Sequence, residues 1–175
     1  GRTLKRSHEW LCKEKGKSYG DAVYAELNSA LHLVEEIVDS EGIACYRNTC
    51  GRFIGANSIA HYRLLEKELA RNRAVLGSDF EMIPRSEQHR EIQTDVYFGG
   101  AVVPDLGSIH PGLYHDGLVK RAREAGVVFI SQTKVKSIGK SGEFRQIETT
   151  RGSIKARDVV VGTNGYSAEL MPWLQ

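Results

Sequence analysis

With 175 residues, of which 41% are hydrophobic and 26% charged, the chain has the make-up of a globular domain with a core, not that of a disordered tail. The formal net charge of +2 arises from basic residues spread along the chain and balanced by acids, so there is no electrostatic footprint for nucleic acid or an anionic membrane. No apolar run approaches the ~20 residues of a membrane span, and the basic N-terminus leads into Ser7-His8-Glu9 and not into the apolar stretch of a signal peptide.

In chain order, residues 3–15 read as a short polar helix with Leu4, Trp10 and Leu11 as anchors. A second helix is expected over residues 19–40. There Val23, Leu27, Ala30, Leu31, Val34, Ile37 and Val38 recur at three- and four-residue steps, and Gly42 follows as a stop. Residues 43–57 read as one strand, or two short ones around Gly51. Residues 58–76 return to helix, with Tyr62, Leu65, Leu69 and Val75 on one side. Ser86 is expected to cap a single turn over residues 87–90.

Residues 95–103 (Asp-Val-Tyr-Phe-Gly-Gly-Ala-Val-Val) read as the clearest strand of the middle section, ended by Pro104-Asp105-Leu106-Gly107. His110-Pro111 opens a helix that Gly126 closes. The apolar run Val127-Val128-Phe129-Ile130 reads as a strand, residues 134–138 continue extended, and residues 143–150 and 153–156 form a hairpin about Arg151-Gly152. Asp158-Val159-Val160-Val161-Gly162 has the continuous apolar character of a central strand covered on both faces. Residues 127–131 and 158–162 are therefore expected in one sheet, with the helix over residues 111–125 on its face.

The chemistry-bearing candidates lie toward the C-terminal end. A buried strand ending in Thr163-Asn164-Gly165 places small polar residues where open α/β sheets bind nucleotides. Asn164 offers side-chain hydrogen bonds, and Gly165 permits close backbone approach or a positive φ. The alternative is an ordinary Asn-Gly turn. The cysteines Cys12, Cys45 and Cys50 are expected to be free, buried and inert in a reducing compartment. No second pair accompanies Cys45 and Cys50, and His8, His32, His61, His89 and His115 contain no His-x-x-x-His pair, so no metal site is expected.

The order of motifs carries a resemblance. Pro111, a helix, Gly126-Val127 and a strand are followed by Thr133-Lys134-Val135-Lys136-Ser137-Ile138. Then come the Thr149-Thr150-Arg151-Gly152 hairpin and Val159-Val160-Val161-Gly162-Thr163-Asn164-Gly165-Tyr166. This passage resembles the D-amino-acid oxidase and glycine oxidase superfamily of flavoproteins. Its Thr-Asn-Gly-Tyr ending, Tyr97-Phe98-Gly99-Gly100 and His110-Pro111 fit best the gamma-glutamylputrescine oxidoreductase-like branch. The resemblance is detailed from about Asp95 to Leu174 and weaker from Tyr19 to Gly77.

The resemblance implies a mixed α/β fold, a fragment of an FAD-binding flavoprotein fold with part of its substrate domain. Residues 1–42 would be a helical segment of the FAD domain, 43–108 part of the substrate-binding domain and 109–175 the second half of the FAD domain. It implies FAD as cofactor, an amine or amino acid as substrate and oxidation of a C–N bond by a cytoplasmic full-length parent, without nucleic acid or membrane as partner. The residues carried over are Val135, Thr163, Asn164 and Gly165 toward FAD, and Tyr97 and His110 toward substrate. For His110 the alternative is a residue that shapes the start of its helix, and for Tyr97 a core aromatic on a strand. The family's Gly-x-Gly-x-x-Gly turn is absent here, so the chain reads as an interior piece that is inactive alone and binds FAD weakly or not at all. The rival reading is a non-catalytic α/β module that binds a small ligand.

Overall fold

The computed structural model of the chain describes residues 4–167, 170 and 171. These divide into two compact units, residues 1–125 and 126–175. In the first unit, helix α1 (His8–Lys15) begins where the Ser7 hydroxyl accepts the Trp10 amide at 3.2 Å. This is later than the sequence suggests. Helix α2 (Lys17–Ser40) follows after Gly16. Of its apolar stripe Val38 is buried, while Leu27, Leu31 and Val34 are half-buried along an open groove of about 360 Å³ with Ile109 and Tyr114.

Strand β1 (Arg52–Gly55) is shorter than expected, and Asn48 forms only an isolated bridge to Ser108. Helix α3 (Ile59–Leu76) is capped by Ser58, whose hydroxyl accepts the His61 amide at 3.0 Å, and ends at Gly77 in the left-handed region. Strands β2 (Glu81–Ile83) and β3 (Gly100–Val103) complete an antiparallel sheet of order β1-β3-β2. Leu65 and Leu69 of α3 pack on Ala101 and Val103 of the central strand, with Ile54, Phe80, Met82 and Leu106 around them. Helix α4 (Pro111–Glu124) sets Tyr114 and Leu118 against a second cluster of Val38, Ile43 and Cys45. These contacts explain why residues 111–124 group with the chain that precedes them.

Two expectations in this unit are corrected. The turn Arg85–Arg90 starts after Pro84 and has no side-chain cap, so Ser86 lies inside it. Residues 95–98 are bends and only Gly100–Val103 is strand. Gln88, which is fully buried, braces both ends of this bend: its amide nitrogen donates to the Thr94 carbonyl at 2.6 Å and its amide oxygen accepts the Gly99 amide at 3.1 Å. Backbone groups bound to a side chain in this way are not available to a strand ladder.

The second unit is a meander of β4 (Val135–Ser141), β5 (Phe144–Thr149) and β6 (Gly152–Ala156), all antiparallel in the order β4-β5-β6. Ile138, Ile147 and Ile154 align across the three strands, with Ile147 buried in the middle. The expected hairpin is present, with Thr150-Arg151 as its two-residue loop. Thr149 secures it: its hydroxyl donates to the Gly152 carbonyl at 2.5 Å and accepts the Arg151 amide at 3.1 Å.

The expectation of one sheet through residues 127–131 and 158–162 is not met, because neither segment is strand. Val128 is 82% and Val160 94% exposed. A two-sided apolar run forms a strand only when neighbours pair with both of its edges. Among the described residues no strand pairs with either run. The overall class is nonetheless mixed α/β, as expected.

Candidate functional site

In the second unit, β4 and the strand-end segment enclose one open cavity of about 720 Å³. Thr133, Lys134, Val135 and Lys136 form one wall, Ile138 and Ile147 the floor, and residues 159–163 with Tyr166 the opposite wall. The start of β4 is held in place because Thr150 bonds Lys134 twice. The Lys134 amide donates to the Thr150 hydroxyl at 3.1 Å, and the Thr150 amide donates to the Lys134 carbonyl at 2.9 Å. A register irregularity between Val135 and Ser137 turns the edge strand at this point.

The cavity thus brings together Val135 and Thr163, two residues 28 positions apart in the numbering that the sequence pairs only through resemblance. Its volume lies in the range of small-molecule and cofactor sites, about 300–1,000 Å³. Its valine and isoleucine walls with two lysines suit a flat apolar ring carrying an anionic tail.

Asn164 and Gly165 belong to a short turn, Asn164–Tyr166, and do not line the cavity. The Thr163 and Ser167 hydroxyls lie 2.6 Å apart, and the Ser167 hydroxyl donates to the Asn164 carbonyl at 2.9 Å. The backbone reverses at Asn164, which has φ 50°, and not at Gly165. Asparagine tolerates that region because its short polar side chain bonds locally. A Cβ on Gly165 would meet open space. Of the two roles read for Gly165, the positive φ thus falls on its neighbour.

Tyr97 and His110 have different surroundings within the first unit. Tyr97 is half-buried, its ring lying over Gly55, where a Cβ would stand 2.5 Å from Cδ1, and edge-on to Phe53 at 6.2 Å. It packs as an aromatic on the sheet, though from a bend and not from a strand. The following Gly99, with φ 83°, passes so close to β2 that a Cβ would lie 2.5 Å from the Ile83 carbonyl. Tyr62 lines this crossing, and burial foremost, then Glu66 and Glu87, raise its phenol above the ordinary 10.0. His110 is the N-cap of α4: its Nδ1 accepts the Leu113 amide at 3.2 Å, its own amide donates to the Cys45 carbonyl at 2.7 Å, and its ring meets Tyr46 edge-on. This geometry matches the role of shaping the start of the helix.

Sequence reasoning missed Gln88, which no periodicity singles out. It also missed a grouping of His8, Cys12 and Asp21 at the α1–α2 junction, whose mixed residue types on two helices leave no His–His or Cys–Cys spacing in the sequence. The three cysteines are free, but only Cys45 is buried, while Cys12 is partly exposed and Cys50 exposed. No helix among the described residues is long and apolar enough to cross a membrane.

The family model DAO, described as FAD dependent oxidoreductase, matches residues 2–174. Two curated proteins named probable oxidoreductase OrdL are similar. That of Haemophilus influenzae is 20% identical over 88% of the chain and 36% of its own length, and that of Rhizobium meliloti 28% identical over 67% and 29%. Among solved structures, L-amino acid deaminase from Proteus vulgaris, carrying a deletion, aligns with TM-score 0.72 and 22% identity over 88% of this chain and 42% of that one. Glycine oxidase from Geobacillus kaustophilus aligns with TM-score 0.67 and 19% identity over 84% and 40%. The chain thus spans roughly a third of the curated relatives and two-fifths of the solved ones.

Proposed function

Since the chain belongs to the DAO family of FAD-dependent oxidoreductases, we propose that the protein containing it oxidises a C–N bond of an amine or amino acid. The single observation that carries this reading is the family match over residues 2–174, which spans both units. The names of the similar solved structures, an L-amino acid deaminase and a glycine oxidase, support an amino-acid or amine substrate. The Thr163-Asn164-Gly165-Tyr166 ending favours the amine branch typified by gamma-glutamylputrescine oxidoreductases.

The cavity between β4 and residues 159–163 fits the peripheral part of the cofactor. The backbone at Val135 would hold its adenine end and Thr163 its polar linkage, while Asn164 and Gly165 shape the wall behind. When bound, FAD accepts the two electrons of the substrate and passes them to oxygen or another acceptor. The residues of this chain orient and desolvate, and none is assigned as a base. The resemblance offers Tyr97 and His110 as substrate-facing residues, one in the portion over residues 43–108 and one at the junction that follows, in addition to the packing and capping roles they hold in the fold. The helical segment over 1–42 and the portion over 109–175 are assigned to the FAD domain. A site in the cytoplasm is part of the same proposal.

The test is made on the full-length protein. Purified from cells, it should be yellow, with flavin absorbance that bleaches anaerobically with a primary amine or amino acid. Thr163→Val should lower FAD occupancy without lowering the melting temperature of the apoprotein. A colourless protein that takes up no added FAD refutes the flavin reading and favours a small-ligand-binding module. Equilibrium dialysis of the 175-residue chain alone should show weak FAD binding or none, and stoichiometric micromolar binding would contradict the cofactor's dependence on a glycine-rich turn.

A further inference from the structure

The α1–α2 junction gathers three side chains of different chemistry around one point. His8 and Cys12 stand four residues apart on α1, so both project from one face. Asp21 comes from the first turns of α2. His8 Nε2 lies 2.8 Å from Asp21 Oδ1 and 3.4 Å from Cys12 Sγ, and the ligand atoms of all three fall within 4.8 Å of one another. Tetrahedral bonds of about 2.0–2.3 Å to nitrogen, oxygen and sulfur separate ligand atoms by roughly 3.3–3.8 Å. The separations are thus close to those of a ligand set, and because Sγ stands 3.4 Å from Nε2 and 3.8 Å from Nδ1, closure about an ion requires the imidazole to turn so that the Nε2 lone pair faces the space between Sγ and Oδ1.

The surroundings hold these groups in place. The His8 side chain is only 13% exposed, and its ring stands edge-on to Tyr24 with centroids 4.9 Å apart. Gly20 clears room for the sulfur, since a Cβ there would collide with Cys12 Sγ. Lys17 Nζ bonds Asp21 Oδ2 at 2.5 Å and leaves Oδ1 turned toward His8, the arrangement of a monodentate carboxylate ligand with an outer hydrogen-bond partner.

We propose that His8, Cys12 and Asp21 form a binding site for a borderline-soft divalent cation of the zinc class, with one position left for water. Imidazole, thiolate and carboxylate form a set that favours such an ion over magnesium or calcium, which take oxygen ligands. Binding forms the sulfur–metal bond as the Cys12 thiol releases its proton to solvent. The site is independent of the flavin assignment, and its test uses no flavin readout.

The 175-residue chain is titrated with cobalt(II) alone, then with zinc(II) in competition. One equivalent of cobalt should produce a thiolate-to-metal charge-transfer band that zinc abolishes. Cys12→Ser should remove the band, Asp21→Asn should weaken cobalt binding at least tenfold, and Cys50→Ser should leave it unchanged. Because Cys12→Ser disturbs a packed sulfur, a measurement without substitution accompanies it: zinc should slow alkylation of Cys12 by iodoacetamide at least tenfold and leave Cys50 reacting as before. Absence of the band in the unaltered chain, its persistence in Cys12→Ser, or Cys12 alkylation unaffected by zinc would each overturn the proposal. Rapid alkylation of Cys12 indifferent to metal would mark it as an imidazole-paired thiol instead.

Discussion

The two compact units treat their apolar residues in opposite ways. In residues 1–125, hydrophobic positions that recur at helical spacing or fall on short strands find partners nearby, as Leu65 and Leu69 do on Ala101 and Val103. In residues 126–175 the strongest apolar runs of the sequence, at 127–130 and 159–161, form no strand, and Val128 and Val160 are almost wholly exposed. Among the described residues the buried hydrophobic position there is Ile147, in a segment that alternates with polar residues. An antiparallel meander supplies its own neighbours through two-residue turns, whereas a parallel strand depends on partners brought from elsewhere. Hydrophobicity therefore marks what a segment can bury, and topology decides whether it does.

The largest effects should separate the two units. Ile83 is fully buried, and Ile83→Ala should cost about 2–5 kcal/mol in chemical denaturation. Val160→Ala, at a side chain 94% exposed, should stay within about 0.5 kcal/mol. Equal losses would mean that the run over 159–161 is buried in solution and would dissolve the contrast.

Next comes Gln88→Ala, which strands the buried Gly99 amide and Thr94 carbonyl and should cost about 1–3 kcal/mol. The same change should raise hydrogen exchange at Gly99. An unprotected Gly99 in the unaltered chain would show that the bend before β3 is not held by this side chain.

A smaller contrast lies within the second unit. Gly152 has φ 136°, so Gly152→Val should destabilise by about 1 kcal/mol or more, while Gly165→Val meets open space and should leave the melting temperature nearly unchanged. If Gly165→Val lowers FAD occupancy in the full-length protein at constant melting temperature, the turn faces the cofactor. A melting shift as large as that of Gly152→Val would assign Gly165 a structural role instead.

The smallest effects are those of pH. The hydrogen bond from the Ser153 hydroxyl, and then one from Gln146, hold the Glu148 carboxyl below its ordinary 4.5. Its contribution is present above pH 4.5 and is lost as pH falls through the lowered value. Asp95 raises His89 above its ordinary 6.5, so that contribution is full below pH 6.5 and is lost as pH rises through the raised value. His89 is exposed and Glu148 half-buried at the surface, and both effects are slight. Glu148→Gln should flatten the acid limb of a melting-temperature profile and His89→Gln the neutral-to-alkaline limb. Exchanged limbs would contradict these pairings.

Much of the architecture was legible in the residues. Helical spacing located α2, α3 and α4, Pro111 marked one start, and Arg151-Gly152 marked the hairpin, because caps, turns and periodic stripes are local chemistry. The motif order also sufficed for the flavoprotein family, and it paired Val135 with Thr163, which the fold then set on one cavity. What the sequence could not determine is everything that depends on long-range partners. The bend at residues 95–98 is braced by the Gln88 side chain, the reversal at 163–166 falls on Asn164 and not on Gly165, and the valine runs lack strands to pair with. The grouping of His8 and Cys12 with Asp21 likewise exists only because α2 folds back on α1 after Gly16. Periodicity and caps are written within a few residues, but hydrogen-bond partners and converging side chains are set by how the elements meet.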